Sequence, residues 1–250
     1  MRTSGARAGI AAAALLTGAV GAVAGCSTDD DTLTVLAAAS LTDVFTDLAA
    51  RFESEHPGVR VRLAVGSSTT LARQVAEGAP GDVLVTADPA AMDIAQDAGA
   101  VRSPVTVARN TLVLVTPAGN PGEVRSPADL ARVTFAACLP SAPCGAAAEQ
   151  VLVRYAVTAP VTSAELDVRG VLARVRAGEV EAGLVYRSDA RSAADEVETF
   201  PVPDAPVVRY EEAALVHGRS DLAERWLDLV QGPAGQDVLA DAGLLPPGDD

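Results

Sequence analysis

Short apolar segments alternate with amphipathic helical segments along most of this chain, and this alternation constrains its fold more than any other feature. The first apolar segment, Leu33–Leu36, is followed by a helix whose apolar residues recur with a period of about 3.6, at Leu41, Val44, Phe45, Leu48 and Phe52. Later segments such as Asp82–Thr86 have a continuous apolar centre, which is typical of strands buried on both faces. The sequence therefore predicts an α/β fold in which helices cover both faces of a largely parallel sheet.

The alternation continues to the C-terminus without an internal repeat. Further strands are predicted at Val59–Val65, Asp82–Thr86, Val105–Ala108, Thr111–Thr116, Val133–Ala137, Glu181–Tyr186, Val197–Pro201 and Val207–His217. Further helices are predicted at Ser68–Glu77, from the Asp88 cap to Ala98, after the Ser126 cap, and at Ala146–Tyr155, Val168–Arg176, Ser188–Ala194, Ser220–Val230 and Pro233–Ala242.

Two turn-rich segments, 117–122 and 203–206, divide these elements into two sets. The C-terminal helices need a sheet to cover, so we expect the chain to cross to a second set and then return. This predicts lobe I at 33–115 plus 207–250 and lobe II at 116–206. Ligands bind beyond the carboxyl ends of strands in open α/β sheets, so two such sheets facing each other would enclose a cleft.

The N-terminal segment is typical of an export signal. Two arginines precede a run of small apolar residues, Ala8–Ala24, which is short for a membrane span and leads directly into V-A-G-C, ending at Cys26. This ending resembles the lipobox of bacterial lipoproteins, in which the cysteine becomes the lipid-modified first residue. We therefore expect a signal peptide at 1–25, a tether at 26–32 and a lipid anchor on the extracytoplasmic face of the cell membrane. A permanent N-terminal anchor helix is the alternative.

The charge of the chain excludes one class of partner. The net charge is −14, and it becomes −16 without residues 1–25, which hold two arginines and no acidic residue. Lysine is absent, so arginine supplies every fixed positive side chain. A protein with this charge is repelled by the phosphates of nucleic acids, and we expect no nucleic-acid partner.

Two cysteines remain besides Cys26. Cys138 and Cys144 lie six residues apart, and in an oxidising compartment they favour a structural disulfide that closes a short loop. Two free thiols, a redox pair or a pair of metal ligands are the alternatives. The histidines His56 and His217 lie far away in the sequence, so no third metal ligand accompanies the pair, and no metal cation is expected.

Hydrogen-bond donors are predicted at several junctions between a strand and a helix. Ser40 follows the first strand and is placed as the N-cap of the next helix, where the backbone N–H groups and the positive end of the helix dipole favour an anion. Similar junctions follow at S-S-T-T, at P-C-G and at D-V-R-G, and a tyrosine ends the apolar strand G-L-V-Y. Each alone is typical of ordinary capping or packing. Together, in a two-lobed α/β chain, the five indicate a binding cleft at Ser40, Ser67–Thr70, Pro143–Gly145, Asp167–Gly170 and Tyr186.

These five positions hold neutral donors and almost no cations, since Arg169 is the one positive residue among them. A fully ionised dianion offers only acceptors and suits such a site, whereas a protonated oxyanion such as hydrogen phosphate needs an acceptor in the protein. Asp43 and Asp167 are available as acceptors. The donor set thus favours a dianion without deciding the question.

The motifs A-A-A-S-L-T-D, S-S-T-T-L-A-R-Q-(x)3-G-A-P-G-D-V, P-C-G, D-V-R-G and G-L-V-Y-R-S-D-A occur in an order and spacing that resembles the periplasmic molybdate-binding proteins of ABC importers. The resemblance covers residues 33–245. It implies a class II periplasmic-binding-protein fold, with two hinge crossings and a tetrahedral oxyanion held between two lobes. It further implies a protein without a cofactor that captures molybdate or tungstate and delivers it to a membrane permease. Nothing in the sequence asks for a dimer, so we expect a monomer.

The resemblance also implies a role for individual residues. Ser40 and Ser68 would each bind the oxyanion through the hydroxyl and the backbone N–H, Cys144 and Val168 through backbone N–H groups, and Tyr186 through its hydroxyl. The position of Cys144 is commonly alanine in the family, which matters little if only its N–H is used. The Cys138–Cys144 pair is not general in the family.

Three other readings remain open. The first keeps the fold and changes the ligand to sulfate, phosphate or a small organic anion. A hydrolase or redox lipoprotein would use a serine or the cysteines, but no G-x-S-x-G motif surrounds either serine and the cysteine spacing is not C-x-x-C. An adhesive or structural lipoprotein would not need a cleft lined with donors. We therefore expect a binding protein and not an enzyme.

Overall fold

A computed structural model describes residues 32–248. Its strands are β1 (Thr32–Ala38), β2 (Arg60–Gly66), β3 (Val83–Thr86), β4 (Val101–Pro117), β5 (Phe135–Cys138), β6 (Ser163–Glu165), β7 (Ala182–Tyr186), β8 (Val197–Pro201) and β9 (Val207–Leu215). Its α-helices are α1 (Thr42–Glu55), α2 (Ser68–Ala76), α3 (Pro89–Asp97), α4 (Pro143–Arg154), α5 (Val168–Arg176), α6 (Arg187–Ser192), α7 (Ser220–Gln231) and α8 (Pro233–Asp241). Short 3₁₀ helices span Ala39–Leu41 and Pro127–Arg132.

The strands form a mixed sheet in the order β2-β1-β3-β9-β4-β7-β5-β6, with β8 beside β4. Strand β1 runs parallel to β2 and β3, and β5 runs parallel to β6 and β7. Strands β4 and β9 are antiparallel to each other and to their other neighbours. The α/β fold is confirmed, but the prediction of a largely parallel sheet is wrong for the centre. A continuous apolar sequence indicates that a strand is buried on both faces, but burial does not depend on whether the strand runs parallel or antiparallel to its neighbours.

Strand β4 joins the two parallel sets. Its residues up to Thr111 pair with β9, and its residues from Leu112 pair with β7 and β8. The prediction of two separate strands, Val105–Ala108 and Thr111–Thr116, is wrong, because one strand of 17 residues runs through both. Asn110, which lies between the two predicted segments, is fully buried within the strand.

Several predicted boundaries also shift. The 3₁₀ helix Ala39–Leu41 precedes α1, α4 begins three residues before Ala146, and β6 was not predicted. Strand β9 ends at Leu215, before His217, and Thr32 already belongs to β1. The predicted signal peptide and the rest of the tether, including Cys26, lie outside the described residues.

The predicted caps at Asp88, Ser126 and Asp167 are present. Asp88 and Asp167 accept backbone N–H groups of their own helices, and Ser126 forms a capping box in which the carboxylate of Asp129 accepts the backbone N–H of Ser126.

The buried apolar residues form one large cluster and a smaller one that includes Leu71 and Met92. In the large cluster, the indole of Trp226 lies edge-on to the rings of Phe45 and Phe52. Trp226 is fully buried, as expected for a packing residue. Within residues 32–248, no helix has the length and apolar character needed to cross a membrane.

We predict that Gly145→Ala destabilises the protein. A Cβ at this position would lie 1.9 Å from the carbonyl oxygen of Leu139, so the loop before α4 would have to move. The free energy of unfolding, measured by denaturant titration, should fall by about 2 kcal/mol or more. Gly66→Ala is the matched control, because its Cβ would meet nothing closer than 3.8 Å. Equal stability of the two variants would contradict the prediction.

Candidate functional site

The first residues of three helices and one 3₁₀ helix meet at a single small cavity. The space inside it is about 20 Å³, little more than the roughly 10–15 Å³ that one water molecule requires. The cavity is therefore compact, which excludes a large organic ligand in this conformation. Its lining residues are Ala38, Ala39, Ser40, Gly66, Ser67, Ser68, Ala87, Ala142, Pro143, Cys144, Asp167, Val168 and Tyr186.

All five residues implied by the resemblance are in that lining. Ser40, Ser68, Cys144, Val168 and Tyr186 come from segments far apart in the sequence, and each is less than 9% exposed. The structure thus brings together every residue of the predicted donor set.

Ser40 differs from its prediction as an N-cap. It lies inside the 3₁₀ helix, and neither this helix nor α1 has a side-chain cap. Its hydroxyl oxygen instead lies 2.8 Å from the hydroxyl oxygen of Tyr210 on β9. The cap signal in the sequence correctly marked the junction but not the partner of the side chain.

Ser68 is the first residue of α2, directly after the N-cap Ser67. Its hydroxyl oxygen accepts the backbone N–H of Ala87 at 2.9 Å. With that lone pair occupied, the hydroxyl proton of Ser68 is free to be donated into the cavity. The backbone N–H of Ser68 belongs to the first turn of α2, where no intrahelical acceptor exists.

Cys144 is the second residue of α4 and forms a disulfide with Cys138 at the end of β5, with a Cα–Cα distance of 5.7 Å. A thiol nucleophile or thiolate ligand is therefore not present at this site. What Cys144 offers to the cavity is its backbone N–H in the first helical turn. The disulfide fixes the loop from which that N–H projects.

Val168 is the first residue of α5, and its side chain is apolar and buried. The carboxylate of the preceding Asp167 accepts the backbone N–H groups of Arg169 and Gly170 at 3.0 and 3.1 Å. The cap thus serves the second and third residues of the helix. The cap does not bind the backbone N–H of Val168, so this N–H remains available as a donor.

Tyr186 ends β7 and is 1% exposed. Its hydroxyl has no hydrogen-bond partner within the described part of the chain. Burial, followed by the proximity of Tyr210, Asp189 and Asp88, raises the pKa of the Tyr186 phenol well above its ordinary value. The hydroxyl therefore stays protonated and is available as a donor at the cavity wall.

The cavity is lined by donors rather than by charges. No arginine is among the lining residues of the described chain, and Asp167 is its one ionisable group apart from Tyr186. Asp43, the other acceptor considered from the sequence, is outside the lining and pairs with Arg169. Three helix N-termini and four hydroxyl-bearing residues line the same cavity, which is an environment that favours a small anion. Residues 32–248 contain no cluster of three or more side chains suited to a metal ion.

Two polar contacts join the segments on opposite sides of the cavity. The hydroxyl of Thr69 donates to the carbonyl oxygen of Ser141 at 2.7 Å. The guanidinium of Arg169 pairs with the carboxylate of Asp43 at 2.7 Å, with the side chains 32% and 53% exposed. Exposed pairs of this kind contribute little, about 0–1 kcal/mol. These contacts therefore add little to stability, and their main effect is to align the two segments that they join.

Sequence reasoning missed the buried polar residues behind Ser40. Asn110 and Tyr210 are both fully buried, on the central strands β4 and β9. The amide nitrogen of Asn110 lies 2.9 Å from the hydroxyl oxygen of Ser188 and 3.4 Å from that of Tyr210. The one available signal was an asparagine between two apolar segments, which is also the pattern of a turn.

Comparison with known proteins agrees with this geometry. The family described as bacterial extracellular solute-binding protein matches residues 33–245. The chain belongs to this family. It is accordingly a solute-binding protein and not an enzyme.

Individual relatives narrow the similarity further. The molybdate-binding protein ModA of Mycobacterium tuberculosis is 36% identical over 221 residues, covering 86% of this chain and 85% of the relative. The periplasmic molybdate-binding protein of Azotobacter vinelandii superposes with a TM-score of 0.77 at 22% identity, covering 86% and 100% of the two chains. The sulfate-binding protein SubI of M. tuberculosis also gives 0.77, at 19% identity and 86% coverage of both. The two structures support the periplasmic-binding-protein fold.

Two buried carboxyl groups lie outside the cavity lining. Asp189 on α6 is 1% exposed and Glu212 on β9 is fully buried, and burial raises the pKa of each to about 8. The nearby charge of Arg169 opposes this effect at Asp189, and the hydrogen bond from the indole of Trp226 opposes it at Glu212. Both groups are therefore mainly neutral at pH 7.

We predict that Asp189→Asn makes stability less dependent on pH. Between pH 5 and 7, the folded protein keeps a proton on Asp189 that the unfolded chain has lost. The free energy of unfolding therefore falls as pH rises, by up to about 1.4 kcal/mol per pH unit for this group. Denaturant titrations at several pH values should show a shallower slope for the variant by about that amount. Asn at the exposed position Asp195 is the control, and an unchanged slope for Asp189→Asn would contradict the prediction.

Proposed function

We propose that this protein binds molybdate or tungstate as a dianion in the cavity described above and delivers it to the permease of an ABC importer. The observation that carries the proposal is the convergence of five donor residues, without a cation, on a cavity sized for a small ion. The relatives named as molybdate-binding proteins support the choice of ligand.

In the proposed complex, Ser40 and Ser68 donate hydroxyl and backbone N–H groups to the oxyanion. Cys144 and Val168 donate backbone N–H groups, and Tyr186 donates its hydroxyl. The hydroxyl oxygen of Ser68 already accepts the backbone N–H of Ala87, which supports a donor role towards the ligand. The ligand is negatively charged, so each of these bonds is charge-assisted.

We infer that capture occurs by closure of two lobes, 33–115 plus 207–250 and 116–206. The exchange of partners along β4, from β9 to β7 and β8, supports a division of the sheet near Thr111. The oxyanion would first contact Ser40 and Ser68, and hinge rotation would then bring the donors of the second lobe onto its remaining oxygens. The Thr69–Ser141 and Arg169–Asp43 contacts cross between the proposed lobes.

Sulfate is the second candidate, because it has the same charge and shape in a smaller tetrahedron and a sulfate-binding protein shares the fold. Cavity size would have to discriminate between the two dianions. Phosphate is disfavoured because its hydrogen form needs an acceptor, and the one carboxylate in the lining, Asp167, already accepts the N–H groups of Arg169 and Gly170.

We further propose that the mature protein begins at Cys26, that lipid on this residue anchors it to the extracytoplasmic face of the membrane, and that it acts as a monomer. The V-A-G-C sequence supports the anchor. Cys26→Ser should release the protein from the membrane fraction into the soluble fraction. Retention of the variant in the membrane would instead favour an uncleaved N-terminal helix.

We predict that molybdate and tungstate stabilise the protein against thermal unfolding. A ligand present at a thousand times its dissociation constant adds about 4 kcal/mol to the free energy of unfolding, which raises the midpoint by several degrees. Sulfate and phosphate, each added separately at the same millimolar concentration, should have little effect. A shift with sulfate alone would transfer the proposal to that ion, and no shift with any of the four would contradict an oxyanion site.

We predict that Ser40→Ala and Ser68→Ala each weaken molybdate binding at least tenfold in calorimetric titrations. One charge-assisted hydrogen bond contributes roughly 1.5–3 kcal/mol, and about 1.4 kcal/mol corresponds to a factor of ten. Ser54→Ala is the matched control, because this exposed serine lies on α1 and bonds only to the carbonyl of Arg51. A smaller effect at both cavity serines would remove them from the site.

A further inference from the structure

Behind the cavity, a chain of buried polar side chains leads from the central strands to Ser40. Asn110 on β4, Tyr210 on β9 and Ser188 at the start of α6 are each less than 9% exposed. None of the three lines the cavity. Tyr210 contacts a cavity residue directly, through the 2.8 Å distance between its hydroxyl and that of Ser40.

The amide of Asn110 has one orientation that satisfies its neighbours. Its oxygen accepts the backbone N–H of Thr111 at 3.0 Å, so its nitrogen faces Ser188 and Tyr210. An NH₂ group donates two hydrogen bonds and accepts none. Tyr210 therefore cannot donate to Asn110, and its hydroxyl oxygen receives a hydrogen from that side.

This arrangement decides which hydroxyl donates in the Ser40–Tyr210 pair. Ser40 is the one hydrogen-bond partner of the Tyr210 hydroxyl that is left to accept its proton among the described contacts. Burial and the proximity of Asp189 raise the pKa of Tyr210, so the phenol keeps its proton. When Tyr210 donates, one of the two lone pairs of the Ser40 oxygen is occupied, and the Ser40 proton is directed away from Tyr210, towards the cavity.

We propose that Tyr210, oriented by Asn110, is a specificity-determining positioning residue that directs the Ser40 proton towards the ligand and so disfavours oxyanions that carry a proton. This inference rests on the proposed function. Tyr210 does not touch the ligand and acts only through Ser40. Without its hydroxyl, Ser40 can rotate and accept a proton from a ligand such as hydrogen phosphate.

Ser68 provides an internal comparison. The group that occupies its acceptor side is the backbone N–H of Ala87, which no side-chain substitution removes. The direction of the Ser40 hydroxyl, in contrast, depends on a single side-chain hydroxyl, which Tyr210→Phe deletes while it keeps the ring that packs edge-on against Tyr186. The selectivity of the two serines can therefore be separated by one conservative substitution.

The test is a double-mutant cycle with two ligands. Dissociation constants for molybdate and for phosphate at pH 8 are measured by calorimetry for the wild type, Tyr210→Phe, Ser40→Ala and the double variant. We expect Tyr210→Phe to weaken molybdate binding about three- to tenfold, the range for one neutral hydrogen bond, and to lower the molybdate-to-phosphate selectivity about tenfold. In the Ser40→Ala background, Tyr210→Phe should leave the selectivity unchanged. Tyr155→Phe, whose hydroxyl donates to the carbonyl of Pro203, is the matched control.

Each outcome decides the question. A loss of affinity that is equal for both ligands, or that persists in the Ser40→Ala background, would show a merely structural role for Tyr210 and overturn the inference. If Tyr210→Phe binds molybdate as tightly as the wild type and with unchanged selectivity, the inference alone is overturned. If the wild type itself does not bind molybdate, the proposed function is overturned together with the inference. Neutron diffraction of the molybdate complex needs no variant. A deuterium on Tyr210 Oη directed at Ser40 Oγ supports the inference, and a deuterium on Ser40 Oγ directed at Tyr210 contradicts it.

Discussion

The candidate anion site depends on the unpaired backbone N–H groups at the starts of the helices around it. A chain of net charge −14 repels anions at long range, so a site for one has to rely on local dipoles. The sheet supplies them because β1, β2 and β3 are parallel to one another, as are β5, β6 and β7. Cavity residues directly follow strands in both sets, so each set directs its carboxyl ends towards the cavity. The antiparallel pair β4 and β9 connects the sets and lets them face each other.

Covalent and steric constraints hold one of these helix starts in place. The disulfide between Cys138 and Cys144 ties the end of β5 to the first turn of α4. Gly145 allows the backbone of that turn to lie against Leu139, where any Cβ would collide. A donor that is already fixed loses little conformational freedom when a ligand arrives. The alanine that is common in the family would provide the same N–H at the position of Cys144, so the disulfide adds rigidity and not a new contact.

The sequence predicted the parts of this molecule that local patterns encode. Apolar runs, period-3.6 helices and the Asp88, Ser126 and Asp167 caps are properties of neighbouring residues, and the structure has them all. Strand direction was not predicted at β4 and β9, because apolar character is the same in either direction. The hydrogen bond between Ser40 and Tyr210 joins residues 170 positions apart, and no local sequence pattern near either residue indicates this contact. The cap assigned to Ser40 was wrong for this reason, since a distant phenol competes successfully for its hydroxyl.

The placement of Asn110 and Tyr210 bears on the order of events during capture. Both residues and Ser40 belong to the proposed lobe 33–115 plus 207–250, so the direction of the Ser40 hydroxyl does not require the other lobe to be closed. Of their hydrogen bonds, only the one from Asn110 to Ser188 crosses to the second lobe. A ligand that enters the open cleft would therefore meet Ser40 and Ser68 already directed as donors. Discrimination against a protonated oxyanion would then occur before closure. Closure of the second lobe would increase the affinity for the ion that the first lobe has already selected.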